Sequence, residues 1–282
     1  EVKESLKTHP TTRTLRGWKE VAHAFDPDIV MALDEAYCFS TCQLIRWAEA
    51  RNKPSLYLSC QNIDRTLPLP FSWIESMVLK TVSGGWFLNE DAWDRAKVRG
   101  FTVPGRVIPL PVDPDDYPLL RAPNPGAISL EDAQLREALT VGYAGRLVPE
   151  KGLETLIGAC GQTKDRLVIA GEGPEIGRLQ SLAEQSGVEV DWLGSVPSEK
   201  VPGVYSEIDV LVLPSLETPR WKEQFGRVLV EAMASGVPVI GSRTGEIPNV
   251  IGEAGLLFNP GDVSSLVEQL QILKETPNLY ET

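Results

Sequence analysis

The stretch "WKEQFGRVLVEAMASGVPVIGS", residues 221–242, joins a helical pattern to a strand pattern. In "FGRVLVEAMASG" the apolar residues form a helix-like run that ends at small residues and glycine. "PVIGS" then reads as a short buried strand. A helix that leads directly into a buried strand is the repeating element of a parallel α/β fold.

The same alternation continues on both sides of this stretch. Strands are predicted at "PDIVMAL", "KPSLYLSC", "GGWFLN", "GRVIPLP", "LTVGYAG", "RLVIAG", "VEVDWLG", "DVLVLPS" and "GLLF". Helices are predicted at "TLRGWKEVAHAF", "STCQLIRWAEARN", "FSWIESMVLKTV", "EDAWDRAKVRG", "GLETLIGAC", "EIGRLQSLAEQSG" and "VSSLVEQLQIL". A segment rich in proline and aspartate divides the pattern. The sequence therefore predicts a partial first Rossmann-like domain over residues 1–118, a linker over 119–138 and a second Rossmann-like domain over 139–282.

Composition narrows the class of protein. The chain has 282 residues and a formal net charge of -12, and this excess of acid argues against nucleic-acid binding, which needs a basic surface. The four cysteines form no CxxC pair, so we expect free thiols in a cytoplasmic protein. Two histidines are too few for a histidine-based metal site, and no apolar run is long enough to span a membrane.

In an open parallel sheet, ligands bind at the carboxyl ends of the strands. Arg146 and Lys151 follow the strand "TVGYAG" and precede a predicted helix. A helix start carries unsatisfied N–H groups and partial positive charge, so this segment can bind a phosphate or diphosphate. Spacing alone leaves open that both are solvated surface cations. The later segment "GEGPEIG" has glycine spacing G-x-G-x-x-x-G and no suitable acid after the next strand, so we interpret it as a turn that leads into a helix.

Two acids flank the start of the helix in the opening stretch. Glu223 precedes the helix, and Glu231 lies about two turns inside the same pattern, on one flank. Carboxylates accept hydrogen bonds from vicinal hydroxyls, so the two acids can hold both ends of one ligand that contains sugars. The alternative for Glu231 is an i,i+4 ion pair with Arg227. Its apolar neighbours predict a buried helix and argue against that pair.

These segments resemble glycosyltransferase family 4. The resemblance rests on "YAGRLVPEKG", "IAGEGPE", "LPSLETPRWKEQFGRVLVEAMASGVPVIGS" and "GEIPNVIGEAGLLF", and it extends more weakly over residues 25–120. It implies the GT-B fold, in which two Rossmann-like domains face each other across a cleft. It also implies transfer of a sugar, with retention of anomeric configuration, from a nucleoside-diphosphate sugar to a polysaccharide or glycolipid acceptor. No metal or other cofactor is expected.

The resemblance also implies roles for individual residues. Glu231 is expected to bind the ribose and Glu223 the donor sugar, while Arg146 and Lys151 stabilise the departing diphosphate. The expected catalytic residues are thus Arg146, Lys151 and Glu223. The expected donor-binding residues are Gly145, Val196, Phe225, Gly226, Arg227, Val228 and Glu231, with Val196 seating the base through its backbone and Phe225–Val228 forming an amide cradle.

The first half carries weaker signals. Glu35, Gln61 and Asn62 end two strands and are the candidates for acceptor contacts, although a cap and a turn explain them equally well. The run "LPLPFSWIESMVLK" is interpreted as a core helix, with peripheral contact to a membrane surface as the alternative.

The resemblance is not complete. The glycine-bearing strand and loop that open such enzymes, and the helices that close them, are not found, so we interpret the chain as a truncated homologue with an incomplete first domain. Such a chain is expected to bind donor and to transfer little. A non-catalytic nucleotide-sugar-binding scaffold and a GT-B epimerase remain the alternatives.

Overall fold

The computed structural model describes residues 3–4, 10–12, 14–119 and 137–276. The strands are β1 (Lys3–Glu4), β2 (Leu15–Arg16), β3 (Val30–Ala32), β4 (Ser55–Ser59), β5 (Gly84–Phe87), β6 (Gly105–Val107), β7 (Thr140–Ala144), β8 (Arg166–Ala170), β9 (Val190–Gly194), β10 (Val210–Leu213), β11 (Val239–Ser242) and β12 (Leu256–Phe258). The α-helices are α1 (Trp18–Phe25), α2 (Phe39–Glu49), α3 (Phe71–Thr81), α4 (Glu90–Val98), α5 (Leu153–Thr163), α6 (Ile176–Ser186), α7 (Val201–Ser206), α8 (Arg227–Ala234), α9 (Ile247–Ile251) and α10 (Val263–Glu275). Short 3-10 turns cover Pro10–Thr12, Pro149–Lys151 and Ser198–Lys200.

The chain divides into two compact units, unit 1 (Glu1–Leu110) and unit 2 (Pro111–Thr282). Unit 1 holds a parallel sheet with strand order β3-β4-β5-β6, so each new strand is added beside the previous one. Its core contains Ile45 of α2, Val78 of α3, and Tyr57 and Phe87 of the sheet, and Tyr57 and Phe87 meet edge to face at 5.7 Å between ring centroids. This core lies between one face of the sheet and its helices.

Unit 2 holds a six-stranded parallel sheet with strand order β12-β11-β10-β7-β8-β9. The chain builds outward from β7 to β9 on one side, then returns to the centre and builds outward from β10 to β12 on the other. This is the doubly wound Rossmann order, and its switch point lies between β7 and β10. All four residues of β10, "VLVL", are buried, which explains why this strand reads as an uninterrupted apolar run.

The predicted α/β class with two parallel Rossmann-like sheets is confirmed. The helix predicted from "TLRGW" was wrong at its start, because Gly17 adopts a left-handed conformation (φ 70) and the helix begins at Trp18. Leu15–Arg16 instead pairs with Lys3–Glu4 as a short antiparallel ladder. Two short helices, α7 and α9, were not predicted. Most of the predicted linker, residues 120–136, lies outside the described residues, so the boundaries at 118 and 138 stay predictions.

Two smaller expectations concern side chains of unit 1 and the cysteines. The helix α3 is a core helix: Ile74 and Val78 are buried against the sheet, whereas Trp73 is 61% exposed. A membrane contact of this helix stays a prediction. All four cysteines are free, and Cys38 and Cys160 are buried.

Candidate functional site

The switch point of unit 2 brings together the loops that follow β7 and β10. These two strands pair in parallel, with Leu211 opposite Gly142, so the loops that follow them leave the sheet at the same edge. The loop after β7 carries Gly145 and Arg146, and the loop after β10 leads to Glu223. A crevice outside the carboxyl ends of the strands is expected where the strand order reverses.

Two cavities lie along this edge. The first, which we call the α7 cavity, has a volume of about 390 Å³ and is lined by Val196 and Glu231. The second, which we call the Lys151 cavity, has a volume of about 240 Å³. Both are lined by Ala144, Gly145, Arg146 and Val228, so they adjoin at the loop after β7. The predicted donor-side residues that line one or both are Gly145, Arg146, Lys151, Val196, Glu223, Gly226, Arg227, Val228 and Glu231. Phe225 does not line them and is 6% exposed.

Glycines set the shape of the crevice floor. A Cβ on Gly171 would lie 1.8 Å from the carbonyl oxygen of Gly145, and a Cβ on Gly173 would lie 2.2 Å from that of Leu147. The loop after β8 therefore rests directly on the loop after β7. This close backbone contact explains the G-x-G of "GEGPEIG". It agrees with our interpretation of that segment as a turn leading into α6.

The Lys151 cavity contains an ion pair between two predicted site residues. The Lys151 Nζ donates to Oε2 of Glu223 at 2.5 Å, and Ser215 Oγ donates to the same oxygen at 2.9 Å. The side chains of Lys151 and Glu223 are 13% and 11% exposed. The Lys151 ammonium also lies over the ring of Trp221, 5.1 Å from its centroid. The sequence assigned Lys151 to phosphate and Glu223 to sugar, and it gave no sign that the two pair with each other.

Backbone packing fixes both members of this pair. Gly152, directly after Lys151, has φ 66, and a Cβ there would lie 2.1 Å from the carbonyl oxygen of Pro214. Gly245 has φ 53, and a Cβ there would lie 2.2 Å from the carbonyl oxygen of Glu223. Two glycines in left-handed conformations thus hold the loops around the cavity at distances that no side chain would allow.

Helix α8 begins at the wall of the Lys151 cavity. Its N-cap is Gly226, in a left-handed conformation (φ 83), and within the described chain no side chain caps this end. Gly226, Arg227 and Val228 line the cavity. The unsatisfied N–H groups and partial positive charge of a helix start favour an anion at such a place. Arg146, which is exposed and lines both cavities, adds a guanidinium beside it.

Glu231 lies in the α7 cavity and is only 7% exposed. Its Oε1 pairs with Arg227 Nε at 2.8 Å, so the expectation that burial would disfavour this i,i+4 pair was wrong. The pair forms because Arg227 is itself 57% exposed and reaches Glu231 along the helix flank. Its Oε2 accepts a hydrogen bond from the Tyr205 hydroxyl at 2.9 Å.

Two tyrosines beside Glu231 were not found from the sequence. Burial raises the pKa of Tyr205, and the nearby Glu231 carboxylate raises it further. Burial and a hydrogen bond to Glu231 likewise raise the pKa of Tyr117. Both phenols therefore stay protonated and can donate. Tyr205 lies in α7, which is too short to show a helical period, so no sequence signal indicated its contact with Glu231.

In unit 1, the acceptor candidates lie where strands β3 and β4 end. Glu35 accepts hydrogen bonds from Ser59 Oγ at 2.8 Å and from the Cys60 N–H at 2.7 Å. Gln61 and Asn62 are 6% and 7% exposed. Burial raises the pKa of Glu35, and the two hydrogen bonds oppose that shift. These contacts lie within unit 1 and favour a structural role, while an acceptor role stays a prediction.

Neither a metal cluster nor a spanning helix is found in the part of the chain that the structure describes. No group of three or more His, Cys, Asp or Glu side chains there is arranged to hold a metal ion. No helix there is long and apolar enough to cross a membrane.

The fold is shared with solved glycosyltransferase structures. The Anabaena protein HepE in complex with UDP superposes with a TM-score of 0.75 at 20% identity, over 94% of this chain and 74% of that one. Sucrose-phosphate synthase from Thermosynechococcus elongatus gives a TM-score of 0.68 at 21% identity, over 94% of this chain and 69% of that one. At these identities the likeness concerns the fold alone, and the fold is GT-B as expected.

Sequence relatives match part of the chain. D-inositol 3-phosphate glycosyltransferase of Corynebacterium jeikeium is 33% identical over 187 residues, which is 58% of this chain and 42% of the relative. Sulfoquinovosyl transferase SQD2 of Arabidopsis thaliana is 34% identical over 152 residues, 52% of this chain and 28% of the relative. The chain thus spans less than half the length of these relatives.

The family model for glycosyl transferases group 1 matches residues 132–282, which is more than half of the chain and includes the whole crevice of unit 2. The chain belongs to the glycosyl transferases group 1 family.

Proposed function

We propose that the protein transfers a sugar, with retention of anomeric configuration, from a nucleoside-diphosphate sugar to an acceptor, and that the crevice of unit 2 binds the donor. One observation carries this proposal: the two adjoining cavities place Glu231 at one end, Arg146 at the junction and the Lys151–Glu223 pair at the other. That order matches the order of ribose, diphosphate and sugar in such a donor. HepE was solved with UDP, and a Corynebacterium relative is named as GDP-mannose-dependent, so the class of ligand is supported and the base is left open.

The charges suit the leaving group. Glycosyl transfer releases a nucleoside diphosphate, and the negative charge that develops on it must be stabilised in the transition state. Arg146, Lys151 and the start of α8 supply positive charge to the wall of one cavity. Lys151 is paired with Glu223, so its ammonium must be shared between that carboxylate and a bound phosphate. No metal ion is required for this arrangement.

The two ends of the sugar donor lie against groups that can accept hydrogen bonds from its hydroxyls. Glu231 and Val196 line the α7 cavity, where the carboxylate can hold the ribose hydroxyls and the Val196 backbone can hold the base. Glu223 lines the Lys151 cavity and can accept from hydroxyls of the transferred sugar. The acceptor is proposed to be a polysaccharide or glycolipid, since relatives include an O-antigen chain mannosyltransferase of Escherichia coli and a phosphatidylinositol mannoside mannosyltransferase of Mycolicibacterium smegmatis. With such an acceptor, the protein would act in the cytoplasm and contact the membrane surface peripherally.

Donor binding is tested by thermal shift with UDP, GDP, ADP, dTDP and their sugars, followed by calorimetry. A ligand that binds the native state raises the melting temperature by mass action. Glu231→Ala is expected to weaken binding of the nucleoside diphosphate by about tenfold to a hundredfold, the loss typical of a hydrogen bond to a charged group. Glu184→Ala, a change of an exposed acid on α6, serves as the control. The donor assignment fails if no nucleotide binds, or if both variants retain the affinity of the native chain.

Transfer separates an enzyme from a non-catalytic binding protein. Incubation with the identified donor and a glycan or glycolipid acceptor, with product anomers assigned by NMR, tests transfer and retention together. An α-configured product from an α-configured donor supports the proposal, and an inverted product contradicts it. A product in which only the sugar of the donor is epimerised would favour a GT-B epimerase instead.

A further inference from the structure

The carboxylate of Glu231 is held by a buried tyrosine that the family resemblance did not point to. Tyr205 is 1% exposed, and its hydroxyl donates to Oε2 of Glu231 at 2.9 Å. The same hydroxyl lies 3.4 Å from the carbonyl oxygen of Val228, in the first turn of α8. The contact joins α7 to α8 across 26 residues of sequence.

Tyr205 and Arg227 hold Glu231 in different ways. A carboxylate offers about four acceptor positions, and these two donors occupy one on each oxygen. The Arg227 side chain is 57% exposed, so the arginine end of this pair is solvated and moves readily. The tyrosine is embedded in the core, so it sets the orientation of the carboxylate.

The tyrosine is itself fixed in place. Its ring packs against Tyr117 with centroids 6.3 Å apart, and both side chains belong to the hydrophobic core of unit 2. The Tyr117 phenol also interacts with Glu231, as its raised pKa reflects. Glu231 is therefore approached by two phenols from the core side, while it lines the α7 cavity on the other side.

We propose that Tyr205 is a positioning residue for recognition of the ribose: it orients the Glu231 carboxylate so that its remaining acceptor positions meet the ribose hydroxyls. This inference rests on the proposed function, in which Glu231 binds the ribose. Tyr205 does not touch the ligand. It acts by preorganising the carboxylate, so that the ligand does not have to order that side chain on binding.

The test is Tyr205→Phe, which removes one oxygen and keeps the packing of the ring. Calorimetry is run with UDP and GDP, with their 2′,3′-dideoxy forms, and with inorganic pyrophosphate. The variant is expected to bind the ribose-containing nucleotide about three- to tenfold more weakly, which is less than the loss for Glu231→Ala because the carboxylate stays and only its orientation is relaxed. Binding of the dideoxy form and of pyrophosphate should be unchanged, because neither offers ribose hydroxyls to Glu231. Tyr57→Phe, at a 1% exposed tyrosine of unit 1, is the matched control.

Each outcome separates the alternatives. Equal binding of the ribose-containing nucleotide by the variant and the native chain would overturn the positioning role. An equal loss for all three ligands would overturn it too, since Tyr205 would then act only through the shape of the cavity. If the native chain binds none of the three, the proposed function fails and this inference fails with it. If the native chain binds all three but binds the dideoxy form as tightly as the ribose form, donor binding in the crevice stands, whereas the ribose role of Glu231 and with it the role of Tyr205 are refuted.

Discussion

Replacing Lys151 by Met should destabilise unit 2 by removing the ammonium that pairs with the Glu223 carboxylate. The ammonium lies 2.5 Å from Oε2 of Glu223, and the two side chains are 13% and 11% exposed. Met keeps most of the length of the lysine stem, so the change removes charge with little loss of packing. The Ser215 hydroxyl, at 2.9 Å, remains as a donor to the Glu223 carboxylate.

The size of the effect follows from burial. Removing one partner of a buried ion pair costs about 3–5 kcal/mol, because an uncompensated charge stays behind. Here the pair borders a cavity of about 240 Å³, which admits water to the carboxylate. We therefore expect about 3 kcal/mol, at the lower end of that range. The double variant Lys151→Met/Glu223→Gln removes the stranded charge and keeps an acceptor for Ser215, so it should lie within about 1 kcal/mol of the native chain.

The assay is urea unfolding followed by far-ultraviolet circular dichroism, with hydrogen exchange to locate the change. Because the chain has two units, the loss of protection should concentrate in β10 and α8 of unit 2. Lys80→Met, at an exposed lysine of α3, is the control for loss of a surface ammonium. The reasoning is refuted if Lys151→Met is as stable as that control, or if the double variant is no more stable than the single one.

Arg146→Ala should weaken binding of a nucleoside diphosphate and of pyrophosphate by a similar factor, about tenfold, and leave binding of the bare nucleoside intact in calorimetry; equal losses for nucleoside and pyrophosphate would contradict a phosphate role. Burial raises the pKa of Glu35 above 4.5, so its stabilising contribution is present below that pH and is lost as the pH rises through the folded-state pKa. Glu35→Gln should therefore gain stability relative to the native chain between pH 4 and pH 7 in urea titrations, and a constant difference would refute this. Gly245→Ala should lower the melting temperature and the donor affinity, because its Cβ would lie 2.2 Å from the carbonyl oxygen of Glu223, whereas Gly177→Ala, in helix α6 where a Cβ meets open space, should lower neither; similar losses in the two variants would contradict the packing argument.

Buried parallel strands were predicted well because they need no partner information. A strand covered on both faces, such as β10 with its four buried apolar residues, is readable from its own composition. The residues that follow such strands lie at the edge where ligands bind in this fold, which is why the sequence predicted that Arg146 and Glu223 lie there, and both line a cavity at that edge. The strand order, by contrast, depends on which strands pair, and nothing in β7 or β10 alone indicates that they are neighbours.

Contacts between distant segments account for most of what the sequence missed. Lys151 and Glu223 are 72 residues apart, and their pairing follows from the switch point and from the close packing at Gly152. The short helix α7 has only six residues with a proline among them, too few to show a period. The sequence therefore gave no indication that Tyr205 contacts Glu231.

The spacing of seven residues between Glu223 and Glu231 follows from the geometry of the loop and of α8. Gly226, at φ 83, ends the loop and starts α8, so Glu223 stays on the loop side of the helix start. Within the helix, Leu229 and Ala232 face the core, while Arg227, Val228 and Glu231 share the flank that lines the cavities. A period of about 3.6 residues puts position 231 one turn beyond 227 on that flank. The acid inside an apolar run is thus the residue of α8 that reaches the α7 cavity, and the acid before the run reaches the Lys151 cavity. The spacing places one carboxylate in each of the two adjoining cavities, with the start of the helix between them.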